Sequence, residues 1–411
     1  MKHRTRTTIF ALVFSVALLA VYIFAPSQME ARRITPLVTE SAPLSPEEAQ
    51  ARVEAAQQAT LAQRTEIARN LGLTSPELLP LSPTFYVSET GYHISQRAGF
   101  LSFWRENGGA MVFGYPLSEE IIENGRIVQY FERARFEYHP DAEPGYRVQL
   151  SLLGRELTAG RDFPEGNPED GTMYFPETKH TLSGKFLQFW LKRGGLPIFG
   201  YPISEPMEEV DSDGQMRTVQ YFERARFEHY PERLPDFYRR NAEAYGLRLM
   251  ALHEVELTNL GSEAIQRAGL QAPKPAPLAG APTWSSVLWS RHIDVDLSNQ
   301  WLTAYEGDTP VFRAPIATGK DGFNTPTGTY AIYLQYPKQT MTGSGGGETW
   351  YVPDVPWVQY VVGGVALHGT YWHDQWGTGV RMSHGCINLN IDDAQWLYEW
   401  AGVGVEVNIH Y

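Results

Sequence analysis

The chain contains one cysteine, Cys386, within Ser383-His384-Gly385-Cys386-Ile387-Asn388-Leu389. One histidine stands two positions before it; another, His368, stands 18 positions before it and opens His368-Gly369-Thr370. Thiol catalysis requires a thiolate: a free cysteine has a pKa of about 8.5, and a neighbouring imidazole lowers it. It also requires a base that later returns a proton to the departing amine. Backbone N–H groups must face the developing oxyanion, and Gly385 lets backbone approach a substrate with no Cβ in the way. With one cysteine, no intrachain disulfide can form.

Two other readings use the same residues. His368, His373, Asp374, His384 and Cys386 are chemically able to bind zinc, although closed structural zinc sites usually draw on spaced cysteine pairs. A buried structural thiol is the other reading, and it does not predict flanking histidine and glycine. His373 and Asp374 read as loop residues, and His292 and His410 as structural residues on strands. Trp350, Tyr351, Asp354 and Trp357 either border a cleft or pack a core.

The elements that must position these groups begin near Trp284, where the sequence turns β-rich. His292–Leu297 alternates with period two, Ser298-Asn299 is a turn, and Trp301–Tyr305 follows as the partner strand. Gly307-Asp308 is a second turn before Val311–Ile316, and Thr325-Pro326-Thr327-Gly328 leads into a strand over Tyr330–Leu334. Gly343–Gly347 reads as a flexible glycine-rich segment, a candidate lid. Asp392–Trp400 reads as a helix with acids in its first turn, and Val403–Ile409 as a final strand. The result is a mostly β domain of about 130 residues.

His368-Gly369-Thr370 followed by Ser383-His384-Gly385-Cys386-Ile387-Asn388, with Thr325-Pro326-Thr327-Gly328-Thr329-Tyr330 upstream, resembles the signature of the L,D-transpeptidase (YkuD) family over residues 284–411. The resemblance implies a β-sandwich with Cys386 as nucleophile and His368 as base, oriented by the Gly369 carbonyl. Ser383 and His384 would line the site, Asn388 would support its loop, and N–H groups near Gly385 and Cys386 would form the oxyanion hole. Arg381 is assigned to a substrate carboxylate on charge and proximity. No metal or organic cofactor is implied. The implied partners are peptidoglycan stem peptides: Cys386 attacks the carbonyl after the third stem residue, D-alanine leaves, and an acceptor amine resolves the thioester. Water in place of that amine would give an L,D-carboxypeptidase, and an inactive domain would leave a wall-binding scaffold.

Upstream, the sequence repeats itself. Phe100-Leu101-Ser102-Phe103-Trp104 recurs as Phe186-Leu187-Gln188-Phe189-Trp190, Phe113–Glu119 recurs as Phe199–Glu205, and Val128–Glu137 recurs unchanged as Val219–Glu228. Such likeness marks a duplicated unit. Each copy reads as a helix around Phe-Trp, a Gly-Tyr-Pro turn, then strands. The copies resemble the LGFP-like repeats of bacterial cell-wall-associated proteins, which implies wall-glycan binding through exposed aromatics; the competing reading is that those aromatics form the modules' own core. The modules are expected over 81–160 and 161–270, and Pro273, Pro275, Pro277 and Pro282 mark a semi-rigid linker over 271–283.

At the other end, Lys2, His3, Arg4 and Arg6 precede 17 uncharged residues from Ile9 to Ala25. That length fits a short membrane anchor slightly better than a cleaved signal, with the basic flank keeping the N-terminus cytoplasmic. Residues 26–80 read as a linker and spacer helix starting at Ser45-Pro46-Glu47-Glu48. The expected protein is therefore multidomain: an N-terminal membrane helix, two α+β repeat modules and a mostly β catalytic domain, located outside the cytoplasm, either membrane-anchored or secreted to the wall. A net charge of −13 without a basic run argues against nucleic acid as a partner.

Overall fold

A computed structural model describes residues 44–81, 83–211, 213–247, 254–270, 274–285 and 287–411. The apolar run over 9–25 lies outside these residues. Among the described residues, no helix is long and apolar enough to cross a membrane.

The C-terminal β-sandwich follows from the alternation of its strands. Strands β1 (Arg291–Asp296), β2 (Trp301–Glu306), β3 (Thr309–Pro315), β4 (Gly328–Ala331) and β9 (Glu406–His410) form one sheet in the order β3-β2-β1-β9-β4. Strands β5 (Leu334–Gly345), β6 (Glu348–Val362), β7 (Val365–Thr370) and β8 (Ile387–Asn390) form the second, in chain order. Ile293, Val295, Leu302, Leu367, Ile387, Leu389, Val407 and Ile409 share one buried core, completed by Ala394 and Leu397 of the helix Ile391–Trp400. The expected strand over Tyr330–Leu334 is split: β4 ends at Ala331 and β5 begins at Leu334.

Gly343–Gly347 is not a loose loop. Gly343 and Gly345 pair with Trp350 and Glu348 across a long hairpin. Gly346 and Gly347, at φ +57° and +83°, make its two-residue turn. Positive φ at both central residues is the turn whose twist matches paired strands.

Each module carries a two-stranded ribbon, two short helices and a four-stranded antiparallel sheet. The sheets run Ile121–Glu123, Arg126–Tyr130, Arg135–Tyr138 and Val148–Leu150 in module 1, and Met207–Val210, Met216–Tyr221, Arg226–His229 and Val255–Leu257 in module 2. Equivalent locks recur: the Trp104 indole N–H donates to the Gly114 carbonyl at 2.9 Å, and that of Trp190 to Gly200 at 3.0 Å. Most aromatics of the repeated segments fill a core. Phe100, Trp104, Phe113, Phe136, Phe186, Phe189, Trp190, Phe199 and Phe227 are all buried in one cluster.

The modules are interlocked. The helix Leu153–Leu157 at the end of module 1 lies on module 2, where the Arg155 N–H donates to the Glu223 carbonyl at 3.2 Å. The helix Leu260–Arg267 at the end of module 2 lies on module 1, where the Ser262 N–H donates to the Glu132 carbonyl at 3.0 Å. Gly154 and Gly261 make this approach feasible, because a Cβ at either would meet the carbonyl oxygen of Phe222 or Phe131.

The segment after the prolines is also tied down. The Tyr86 N–H donates to the Pro282 carbonyl at 2.9 Å and the Tyr86 carbonyl accepts from the Trp284 N–H at 2.6 Å, and Trp284 and Trp289 pack on Phe85. Trp284, Leu288 and Trp289 thus belong to the module core, and the first sandwich strand begins at Arg291. The helix Pro46–Asn70 starts with Ser45 in a reciprocal capping box with Glu48. It is more than a solvated spacer: Val53 is buried against the sandwich, and Ala68 against the module core.

Candidate active site

Alternation along β7 and β8 sorts the key residues by face. Leu367, Ile387 and Leu389 point into the sandwich core. Ala366, His368 and Asn388 therefore share the opposite face, and Cys386, just before β8, packs with Ala366 on that side. The two strands run parallel with His368 opposite Asn388, so Cys386 is diagonal to His368. Strand spacing and rise place their Cα atoms about 8 Å apart.

The turn before Cys386 is over-determined. The Ser383 hydroxyl donates to the Cys386 carbonyl at 2.6 Å and accepts from the Gly385 N–H at 3.1 Å. Gly385 sits at φ +114°, which an L side chain rarely adopts. The Thr325 hydroxyl donates to the Gly385 carbonyl at 2.9 Å and accepts from the Gly319 N–H at 2.9 Å. The Thr-Pro-Thr-Gly segment thereby braces the cysteine turn. Because Ser383 already holds the Gly385 N–H, that group is not free for an oxyanion.

His368 is 3% exposed, with Nδ1 3.0 Å from the Gly369 carbonyl. A carbonyl accepts only, so Nδ1 carries the proton and Nε2 is the free base. Burial pushes the imidazole down to about 4, partly opposed by the bond to Gly369. Cys386 keeps partial exposure, and its sulfur lies 3.8 Å from the Gly364 carbonyl. Burial pushes the thiol up to about 11, partly opposed by the Ala366 backbone. Burial thus favours the neutral form of each group.

The other sequence-selected residues surround this pair unevenly. His384 faces the hairpin tip: its Nε2 is 2.9 Å from Glu348, its ring stacks on Trp350 at 4.1 Å, and Phe323 meets it edge-on at 4.8 Å. Glu348 also binds Lys320 at 2.6 Å. Arg381 is already engaged, donating to Asn324 at 3.2 Å beside Asp321. Trp357 packs on Tyr398, and Asp354 pairs with Lys338. Tyr351 is 68% exposed. His292 stacks on Tyr305, and His410 binds Asp294. Among the described residues, no three His, Cys, Asp or Glu side chains form a group that could hold a metal ion.

His373 lies in the loop after β7, as the sequence reads it, but it is not solvent-exposed there. It is buried with Nε2 2.9 Å from the Asn388 side-chain amide. Its Nδ1 accepts from the Gln375 N–H at 3.2 Å. No local pattern announces this contact, because its partner lies 15 positions away. Asp374 stays exposed, where it accepts from Gln375.

This β-sandwich sets one cysteine diagonal to a histidine with an unprotonated ring nitrogen, the two groups that thiol-dependent acyl transfer requires. Residues 290–409 match the YkuD family, the L,D-transpeptidase catalytic domain. L,D-transpeptidase 2 of Mycobacterium tuberculosis (strain CDC 1551 / Oshkosh) is 30% identical over 110 residues, which are 25% of this chain and 27% of that protein. The chain thus spans about a quarter of the length of the curated relative it matches. Among solved structures, an L,D-transpeptidase from Mycobacterium smegmatis is 22% identical and covers 46% of this chain and 91% of its own, with a TM-score of 0.29. The catalytic domain of the E. faecium L,D-transpeptidase is 26% identical and covers 29% of this chain and 97% of its own, with a TM-score of 0.28.

Proposed function

We propose that the sandwich is a cysteine-dependent L,D-transpeptidase that cross-links peptidoglycan stem peptides. The observation that carries this reading is the shared face of Cys386 and His368, with the imidazole's Nδ1 committed to Gly369 and Nε2 left as base. In this reading the thiol attacks the carbonyl after the third stem residue while His368 takes its proton. His368 returns that proton to the departing D-alanine, leaving a thioester on Cys386. An amine from a neighbouring stem then displaces the sulfur. With the Gly385 N–H occupied by Ser383, the N–H of Cys386 is the donor assigned to the oxyanion.

The protein works outside the cytoplasm in this reading, held by the segment before residue 44 or released to the wall. The test is intact-mass spectrometry of the soluble chain with a carbapenem or a tetrapeptide donor, beside Cys386→Ala. A stoichiometric adduct on the wild type alone supports the reading; a folded wild type that forms none removes it. Product masses with and without an acceptor amine separate transfer from hydrolysis.

A further inference from the structure

The two modules differ at one connection. Between their third and fourth sheet strands, module 1 has the nine residues 139–147, whereas module 2 has the 25 residues 230–254. The longer connection contains the helix Asp236–Ala244. Arg239 ties that helix to Glu254 beside its own sheet, but its apolar side chains face elsewhere. Leu234 and Tyr238 are buried with Tyr371 and Ile391 of the sandwich, with Phe237, Trp357 and Trp372 packed around them.

The contacts lead to the base. Phe237 and Tyr238 each lie 5.6 Å from the Tyr371 ring, at 78° and 47°. Tyr371 is 1% exposed, and its hydroxyl donates to the Pro353 carbonyl at 2.6 Å. Its ring meets Trp372 edge-on at 4.9 Å, and Trp372 lies 5.8 Å from the His368 ring. Only the Gly369 carbonyl, from the adjacent residue, otherwise fixes the imidazole by a hydrogen bond among the described contacts. A single bond leaves ring tilt to packing, and Trp372 is the aromatic ring packed beside the imidazole among the described ring contacts.

We infer that the inserted helix of module 2 belongs to the catalytic framework: Phe237 and Tyr238 are positioning residues that hold the Tyr371–Trp372 wall against His368. This deepens the transpeptidase reading and rests on it for the acyl donor. It assigns module 2 a task in the chemistry. Displacing a reacting group by about 1 Å can cost a hundredfold in rate, so slackness in this wall slows proton transfer while leaving substrate affinity in place.

The test uses the full chain as wild type, Tyr238→Ala, Tyr238→Phe and Phe237→Ala, each checked for cooperative unfolding. Two readouts are taken: acylation by a carbapenem against its concentration, and the pH profile of Cys386 alkylation by iodoacetamide, which needs no acyl transfer. Tyr238→Ala and Phe237→Ala are expected to lower the limiting acylation rate by ~10-fold with the half-saturating concentration within ~2-fold, and to reduce the His368-assisted alkylation near neutral pH. Tyr238→Phe, which keeps the ring, restores both. A folded Tyr238→Ala or Phe237→Ala with wild-type limiting rate and profile overturns the inference, as does a loss confined to half-saturation. If Tyr238→Ala does not fold, the half-buried Phe237 carries the test. A wild type that resists acylation, yet shows the assisted alkylation and loses it in the variants, defeats the transpeptidase reading and leaves the positioning role standing.

Discussion

His373 places its Nε2 2.9 Å from the side-chain amide of Asn388, which in turn lies directly across the sheet from His368. The Gln375 N–H already donates to Nδ1 of His373. A neutral imidazole then carries its proton on Nε2, so Asn388 must present its oxygen there. Removing His373 leaves a buried amide without that partner. His373→Ala is expected to cost about 1–3 kcal/mol in denaturant unfolding and to slow acylation of Cys386. Wild-type stability in the variant would show that the contact contributes nothing.

Acid should weaken the fold through two histidines. His368 and His373 are each held near 4, by burial first and, for His373, next by the neighbouring His368. The unfolded chain binds these protons first, near pH 6.5. Each group's contribution is therefore full above about 6.5 and is lost as pH falls toward 4, at about 1.4 kcal/mol per pH unit. Urea midpoints measured from pH 7 to 5 should fall accordingly, and His373→Asn should roughly halve the slope. A flat profile would contradict burial of the neutral rings.

The thiol of Cys386 is pushed up to about 11. Alkylation should therefore be slower at pH 7 than for a free cysteine of pKa about 8.5, and should rise steeply only in strong alkali. A thiolate already formed at neutral pH would instead give fast alkylation that is flat above pH 6. His368→Ala should remove the assisted component while leaving the alkaline rise.

Much of this centre was legible in the sequence because its geometry is local. Ser383 to Cys386 form one turn, and Gly385 announces the positive φ that closes it. The Thr325 brace was visible as a segment but not as a partner, since its bond to Gly385 spans 60 positions. The hairpin over Gly343–Gly347 was misread as loose although two adjacent glycines between alternating strands are a tight-turn signal. His373, Phe237 and Tyr238 could not be found this way. Their importance comes from packing between segments far apart in the chain, and a buried aromatic on a short helix looks the same whether it serves its own module or a neighbour.

The hairpin tip is held by Glu348, which binds both Lys320 and His384. Glu348→Ala should raise hydrogen exchange over residues 343–350 and leave exchange in β7 and β8 unchanged. Unaltered exchange at the tip would assign its order to Trp350 stacking on His384 alone.

The interlock of the modules predicts shared unfolding. Gly154→Val drives a side chain into the Phe222 carbonyl and should destabilise both modules by more than about 2 kcal/mol in a single transition. Gly145→Ala, facing open space, should stay within about 0.5 kcal/mol. Two separate transitions in the Gly154→Val chain would show that the modules fold apart.

The helix Pro46–Asn70 carries one more consequence. Its 25 residues span about 37 Å. Val53 and Gln57 rest on the sandwich, Gln57 donating to the Gly404 carbonyl, while Ala68 reaches the modules. Leu44, just before it, also packs on the sandwich. Succession along the polypeptide is thus the reverse of succession in space: the described chain starts beside the thiol domain, travels out to the modules and returns. A tether on the upstream segment would therefore meet the thiol domain at Leu44 without passing through the modules.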